Sequence, residues 1–185
     1  MGWCFLLPSV GPAALISTPA CREVYALHIP SLPNFLPNAI WASAGAAEGD
    51  TELNAFDNAL LAARVGNLNL IRVSSVLPQD ASVLEQPPQI TPGSLVPTVY
   101  SVQVSARPGE TVAAAVGIGV AQGSHGMIYE SHGTSQSEVE ATVRQMIDEG
   151  FARRGLRLNE VIVRSIEHKV ERIGCAVAAV VLWWR

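Results

Sequence analysis

Cysteine is scarce in this chain. Its 185 residues hold three, Cys4, Cys21 and Cys175, and no CxxC pair. An odd, sparse set excludes a disulfide framework, argues against a thiolate-built zinc site, and suits a reducing cytoplasm. Charge is also thin, at 15% of residues with a net charge of -4. No Lys/Arg cluster or basic stripe is present, so the electrostatic footprint of a nucleic-acid partner is missing. The mild acidity suits a cationic substrate, weakly. No apolar run is long enough to span a bilayer, and no membrane association is expected. The apolar stretch from Cys4 to Ile16 lacks a basic start, since the first Lys or Arg is Arg22, and Pro8 and Pro12 interrupt it. Both features argue against a secretory signal. No internal repeat is found.

What is present is core material. Hydrophobic residues make up 49% of the chain, ample for one folded domain of this length. Residues 1–38 stand apart, with six prolines (Pro8, Pro12, Pro19, Pro30, Pro33 and Pro37), almost no charge and no clear period. They read as an irregular extension with one short strand near Val24–His28; a start assigned too far upstream is the alternative. The compact domain is expected over 39–185.

Within it, Ala39–Ala44 reads as a first strand and Gly45–Gly49 as a loop. Asp50 or Thr51 can cap a helix whose apolar stripe runs through Leu53, Phe56, Leu60 and Leu61, with Gly66 as its stop. Asn67–Val73 reads as a strand running into Ser74 and Ser75. A proline-rich loop follows. Thr98–Ala106 alternates well, Thr111–Val120 is small and apolar, and His125–Ser131 is another strand. Ser135 and Glu138 have capping-box spacing ahead of a helix over 137–154, ended by Gly155. Glu160–Ile166 and Ala176–Trp184 are late strands, the second apolar throughout and so buried on both faces. The order argues for a mixed α/β or α+β layered domain.

The Ser74–Ser75 pair carries the most chemistry. A serine hydroxyl can attack the carbonyl of the residue before it when that peptide is strained and polarised, replacing the amide by an ester. Elimination across Ser75 then breaks the chain and leaves a dehydroalanine, and hydrolysis releases ammonia to leave a pyruvoyl group on the new amino terminus. Such a group forms a Schiff base with an amine and acts as an electron sink, as pyridoxal phosphate (PLP) does. No external cofactor, neither PLP nor metal, is then needed. A Ser-Ser pair by itself is more often only a turn or a strand edge.

The surroundings decide between these readings. Gly45–Gly49, Glu52–Leu60, the run Gly66-Asn67-Leu68-Asn69-Leu70-Ile71-Arg72-Val73-Ser74-Ser75-Val76-Leu77-Pro78, Ile128-Tyr129-Glu130, Glu167–Glu171 and Cys175–Trp183 resemble, in order, the pyruvoyl-dependent arginine decarboxylases. The resemblance covers about residue 38 to the end. It implies a four-layer αββα sandwich, cleavage between Ser74 and Ser75, a pyruvoyl group from Ser75, and trimers with active sites at subunit interfaces. It implies conversion of L-arginine to agmatine and carbon dioxide in the cytoplasm.

The resemblance also assigns roles. Ser75 and Glu130 are catalytic: Glu130, a carboxylic acid in a dry site, returns a proton to the carbon that has lost its carboxylate. Asn69 offers its amide to an oxyanion during self-cleavage, against a plain reading as a solvent-facing strand residue. Asp57 is expected to pair with the substrate guanidinium, with the carbonyls of Gly66 and Leu68 and the new Ser74 carboxylate adding to the site. His125 and His132, seven residues apart, would face opposite ways on a strand, so no metal is expected. Trp183 and Trp184 are read as core or interface packing. Two rival readings stay open: the same chemistry on another amino acid, and an uncleaved homologue that serves as a binding or assembly protein. Residues 1–38 have no counterpart that aligns, and Gln122–Gly126 sits where loops vary, close to Glu130; both bear on substrate choice.

Overall fold

The computed structural model describes residues 35–185. The expectations placed on residues 1–34, including the Val24–His28 strand, Cys4 and Cys21, lie outside the described residues. Leu36–Arg185 forms one compact unit. Its elements run β1 (Ala39–Glu48), α1 (Glu52–Ala62), β2 (Asn69–Arg72), β3 (Val76–Leu77), β4 (Ser82–Val83), β5 (Leu95–Ser105), β6 (Thr111–Ala121), β7 (Gly126–Gly133), α2 (Gln136–Arg154), β8 (Leu158–Lys169) and β9 (Gly174–Trp183). They form two sheets, ordered β2-β5-β9-β1-β4 and β3-β7-β6-β8. The fold is therefore mixed α+β, with two helices and two sheets.

The apolar run near the C-terminus becomes β9, the middle of the five-stranded sheet, antiparallel to both β1 and β5. Cys175, Val177 and Val181 pack with Ala55, Ala59 and Leu60 of α1. Ala176, Ala178, Val180 and Leu182 pack with Val112, Val116, Ile118 and Ile128 of the other sheet. Both faces of β9 are thus covered, which is why its sequence shows no polar alternation. Burying each such Val or Ile contributes about 1.5–3 kcal/mol. Ser101 of β5 ties the sheets by donating to the Ser131 carbonyl at 2.8 Å.

Strand β6 sorts its side chains by size. Val112, Val116 and Ile118 face the five-stranded sheet, while Ala113 and Ala115 face Val139 and Val143 of α2. Gly117 and Gly119 continue that second face. A Cβ on Gly119 would lie 2.5 Å from Phe151 and 2.7 Å from Ile147. The helix buries Val139, Val143, Ile147 and Phe151, every fourth residue, against this smooth strip.

Several local expectations change. Strand β1 continues to Glu48 instead of breaking into a loop at Gly45. A Cβ on Gly45 would lie 2.2 Å from the Ala63 amide, so this glycine admits the helix and does not turn the chain. On α1 the buried residues are Ala55, Ala59 and Leu60, whereas Leu53 is 74% exposed; alanines let the helix lie close to the sheet. Thr51 is its cap, accepting from Asn54 N at 3.1 Å. The helix stops before Gly66: Arg64 takes the left-handed conformation (φ 63) and Val65 N bonds to Leu60 O. At α2 the capping box does not form. Ser135 makes no side-chain cap bond, and Glu167 of β8 instead accepts from Gln136 N at 2.8 Å. Gly155 ends α2 in the left-handed region, as expected. Strand β5 begins at Leu95 and includes Pro97, because pairing with β9 starts only at Thr98.

Candidate active site

The Ser74–Ser75 peptide lies where the chain leaves one sheet for the other. On one side, β2 pairs in parallel with β5 at the edge of the five-stranded sheet, and Val73 N extends that pairing to Thr98 O at 3.3 Å. On the other side, β3 pairs with β7 in the four-stranded sheet, Val76 opposite Met127. Ile128 N donates to the Ser75 carbonyl at 2.8 Å. Ser74 is exposed and Ser75 half-buried. Both have ordinary φ angles, since among described non-glycine residues only Arg64 and Asp80 are left-handed.

Glu130 lies two residues along β7 from Ile128, roughly 7 Å at strand spacing. Its approach through Met127 and Ile128 is buried, and its own side chain is 25% exposed. Glu130 Oε1 accepts from Arg72 Nη2 at 3.1 Å. The Arg72 guanidinium also sits 5.0 Å from the centre of the Tyr100 ring, a favourable place for a cation over an aromatic face. Arg72, Ser74, Ser75 and Glu130 thus share one region, framed by β2, β5 and β7.

The other predicted residues gather elsewhere. Asn69 starts β2, and the extended run from Asn69 to Ser74 spans about 16 Å. Its amide Nδ2 donates to the Gly93 carbonyl at 2.7 Å, so within one chain Asn69 fastens the loop ahead of β5. Gly66 and Leu68 line a surface cavity of about 260 Å³ with Leu61, Arg64, Pro88 and Ile90. Asp57 is exposed and lies four residues before Leu61 on α1, hence on that cavity's side of the helix. The predicted site residues therefore fall into two candidate half-sites: Ser74, Ser75 and Glu130 in one, and Gly66 and Leu68 in the other, with Asp57 on α1 and Asn69 at the start of β2 grouped with the second. A larger cavity, of about 580 Å³, lies between residues 83–88 and Trp183–Arg185 and holds none of these residues.

Sequence reasoning gave no role to Arg72 or Tyr100. The available signal was strand periodicity, which puts residues 72 and 74 on one face. It also passed over Glu48, whose carboxylate lies 2.6 Å from His168 Nε2 and accepts from the amides of Glu171, Arg172 and Ile173. Partial burial would raise this carboxyl, but those four hydrogen bonds outweigh it and hold the pKa at about 2. Glu48 thereby fixes the turn between β8 and β9. Burial pushes the Cys175 thiol up to about 12, which makes it an inert core residue. Among the described residues no group of three or more His, Cys, Asp or Glu is placed to hold a metal. No described helix is long and apolar enough to cross a membrane.

Comparison with known proteins bears on this arrangement. The family model described as pyruvoyl-dependent arginine decarboxylase matches residues 39–184. A pyruvoyl-dependent arginine decarboxylase of Methanocaldococcus jannaschii is 44% identical over 153 residues, covering 81% of this chain and 92% of the relative. One of Methanococcus maripaludis is 46% identical over 153 residues, covering 80% and 92%. One of Pyrococcus horikoshii is 47% identical over 144 residues, covering 76% and 91%. The match takes in both half-sites and every strand and helix described, and the chain belongs to the pyruvoyl-dependent arginine decarboxylase family.

Proposed function

We propose that this chain cuts itself between Ser74 and Ser75 and then decarboxylates L-arginine to agmatine and carbon dioxide. The observation that carries the proposal is the placement of that peptide. It bridges the two sheets, with Ser75 fastened to Ile128 and Glu130 two residues further along β7.

In the processing step, Ser75 Oγ forms a bond to the Ser74 carbonyl carbon while the C–N bond breaks, and the hydroxyl proton ends on the freed nitrogen. The Ser75 Cα then loses its proton, its Cβ–O bond breaks, and Ser74 leaves as a carboxylate. Water replaces the nitrogen, which departs as ammonia. The residues present fit a pyruvoyl group at this position, because the pairing of Val76 and Leu77 with β7 holds the new chain end in place without Ser74. The group supplies an electrophilic carbonyl for the substrate amine and a sink for the electrons left behind by carbon dioxide. Glu130 gives a proton to the substrate α-carbon. Asp57 and the carbonyls of Gly66 and Leu68 accept from the guanidinium, in the fork geometry that suits Arg. Asn69 directs its amide to an oxyanion.

These roles need the two half-sites in one place. The reading that joins them is a homo-oligomer, trimer-based, in which one protomer supplies Ser75 and Glu130 and a neighbour supplies Asp57, Gly66, Leu68 and Asn69. The domain is taken as 39–185 and its architecture as a four-layer αββα sandwich. Support for the layers comes from α1 packing on one sheet, α2 on the other, and a shared cluster between the sheets. The proposed setting is the cytoplasm.

One observation favours a different amino acid. Arg64 lines the same cavity as Gly66 and Leu68, and a guanidinium there repels a cationic substrate.

The test is intact-mass analysis of the denatured protein, followed by carbon dioxide release from arginine, lysine and ornithine. Two fragments divided after Ser74, the larger lighter by one ammonia than a serine-started piece, with preferential turnover of arginine, are expected. A single uncut chain from folded protein removes the catalytic reading and leaves a binding or assembly role. Cleavage with preference for another amino acid moves the substrate assignment alone.

A further inference from the structure

We propose that Arg72 is a positioning residue which changes partner when the chain is cut, moving from Glu130 to the carboxylate created at Ser74. This rests on the cleavage between Ser74 and Ser75 proposed above.

In the intact chain the Arg72 guanidinium donates to Glu130 at 3.1 Å. The pair joins β2 of one sheet to β7 of the other, beside the peptide to be cut. Arg72 is 57% exposed, and an ion pair that open contributes about 0–1 kcal/mol to stability. Its value is then orientation and not adhesion. The Tyr100 ring, 5.0 Å from the guanidinium carbon, attracts the cation to its face. The N–H edges stay free to change acceptor.

Cleavage changes what those edges meet. Ser74 is two residues from Arg72 and faces the same way on an extended chain. When Ser74 becomes a chain end, it gains a full negative charge within the reach of an Arg side chain. Two carboxylates then compete for one guanidinium. The Ser74 carboxylate is exposed and newly mobile, so it can approach bidentate geometry. The Glu130 backbone is held by the strand pairing of β7, so its carboxylate has less freedom to follow than a new chain end. The guanidinium turns to Ser74, and Glu130 loses its counter-ion only in the molecule that has acquired its electrophile. The proton donor is thereby freed by the same event that makes the reactive group. The Ser74 end, held by Arg72, stays at the edge of the site and does not drift into it.

The test compares structures and kinetics. A crystal structure of the uncleaved Ser75→Ala chain is expected to keep Arg72 on Glu130. The cleaved wild-type protein is expected to place Arg72 within hydrogen-bond distance of the Ser74 carboxylate. Arg72→Gln should still cut, by intact mass. Glu130 has no counter-ion in that variant, as in the cut wild type, so kcat for arginine should stay within about twofold, while the untethered Ser74 end enters the site and raises KM about tenfold, the usual cost of one charge-assisted contact. Arg72→Lys should recover part of the KM. The inference is overturned if Arg72 remains on Glu130 after cleavage. It is overturned too if Arg72→Gln blocks cleavage, or if the loss falls on kcat. A wild-type chain that never cuts would instead overturn the function proposed above.

Discussion

At the scale of single residues, two side chains carry consequences that composition hides. Arg64 sits in the left-handed region at φ 63, which costs a non-glycine residue about 1–2 kcal/mol. Arg64→Gly is therefore expected to stabilise the fold by about 1 kcal/mol, read as a rise in the urea midpoint at unchanged slope. By clearing a cation from the cavity at Gly66 it should also lower KM for arginine. Glu48 works in the opposite sense. Its carboxyl is held at about 2 against an ordinary 4.5. Stability from this depressed group is complete above pH 4.5 and drains away as pH falls from there towards 2. Urea midpoints measured across that range should slope downward for the natural chain, and the slope should shrink in Glu48→Gln. Neither residue was legible beforehand. The strain at Arg64 is a backbone angle, and the amides that hold Glu48 lie more than 120 positions away in sequence.

Elements were easier to read where one strand or helix settles its own pattern. The alternation in Thr98–Ala106 and the apolar C-terminal run were legible because each strand's faces meet uniform surroundings. The boundaries failed where a distant partner decides. Gly45 reads locally as a loop, yet its purpose is contact with Ala63, and Glu167 displaced the capping box from across a sheet. Packing of α2 rests on the same kind of distant fit. Gly119→Val would push a side chain into Phe151 and Ile147. It should cost about 1–3 kcal/mol as an overpacked core site, seen as a lower melting temperature with Ser74–Ser75 cleavage retained at low temperature.

At the scale of the whole molecule, two half-sites at opposite ends of β2 make the oligomer testable by mixing. Ser75→Ala is expected to remain uncut, and Asp57→Asn to cut normally but turn over little arginine. Co-expressed in one cell, the two defective chains should regain part of the activity, because some interfaces combine an intact Ser75 with an intact Asp57. No recovery would place the site within a single chain. The resemblance groups these residues into one expected site. It could not show that one chain keeps them apart, because that separation follows from strand pairing alone.

The position of the cut has a further consequence for the life of the protein. The piece ending at Ser74 contains β1, which lies between β9 and β4 inside a sheet, so scission does not release it. The chain must fold before it is cut, and from then on two molecules share one core. Refolding, unimolecular for the precursor, becomes a second-order encounter between fragments, so recovery after denaturation depends on dilution. Maturation thereby acts as a ratchet: the finished enzyme persists by not unfolding, since it has given up the covalent tether that would let it start again.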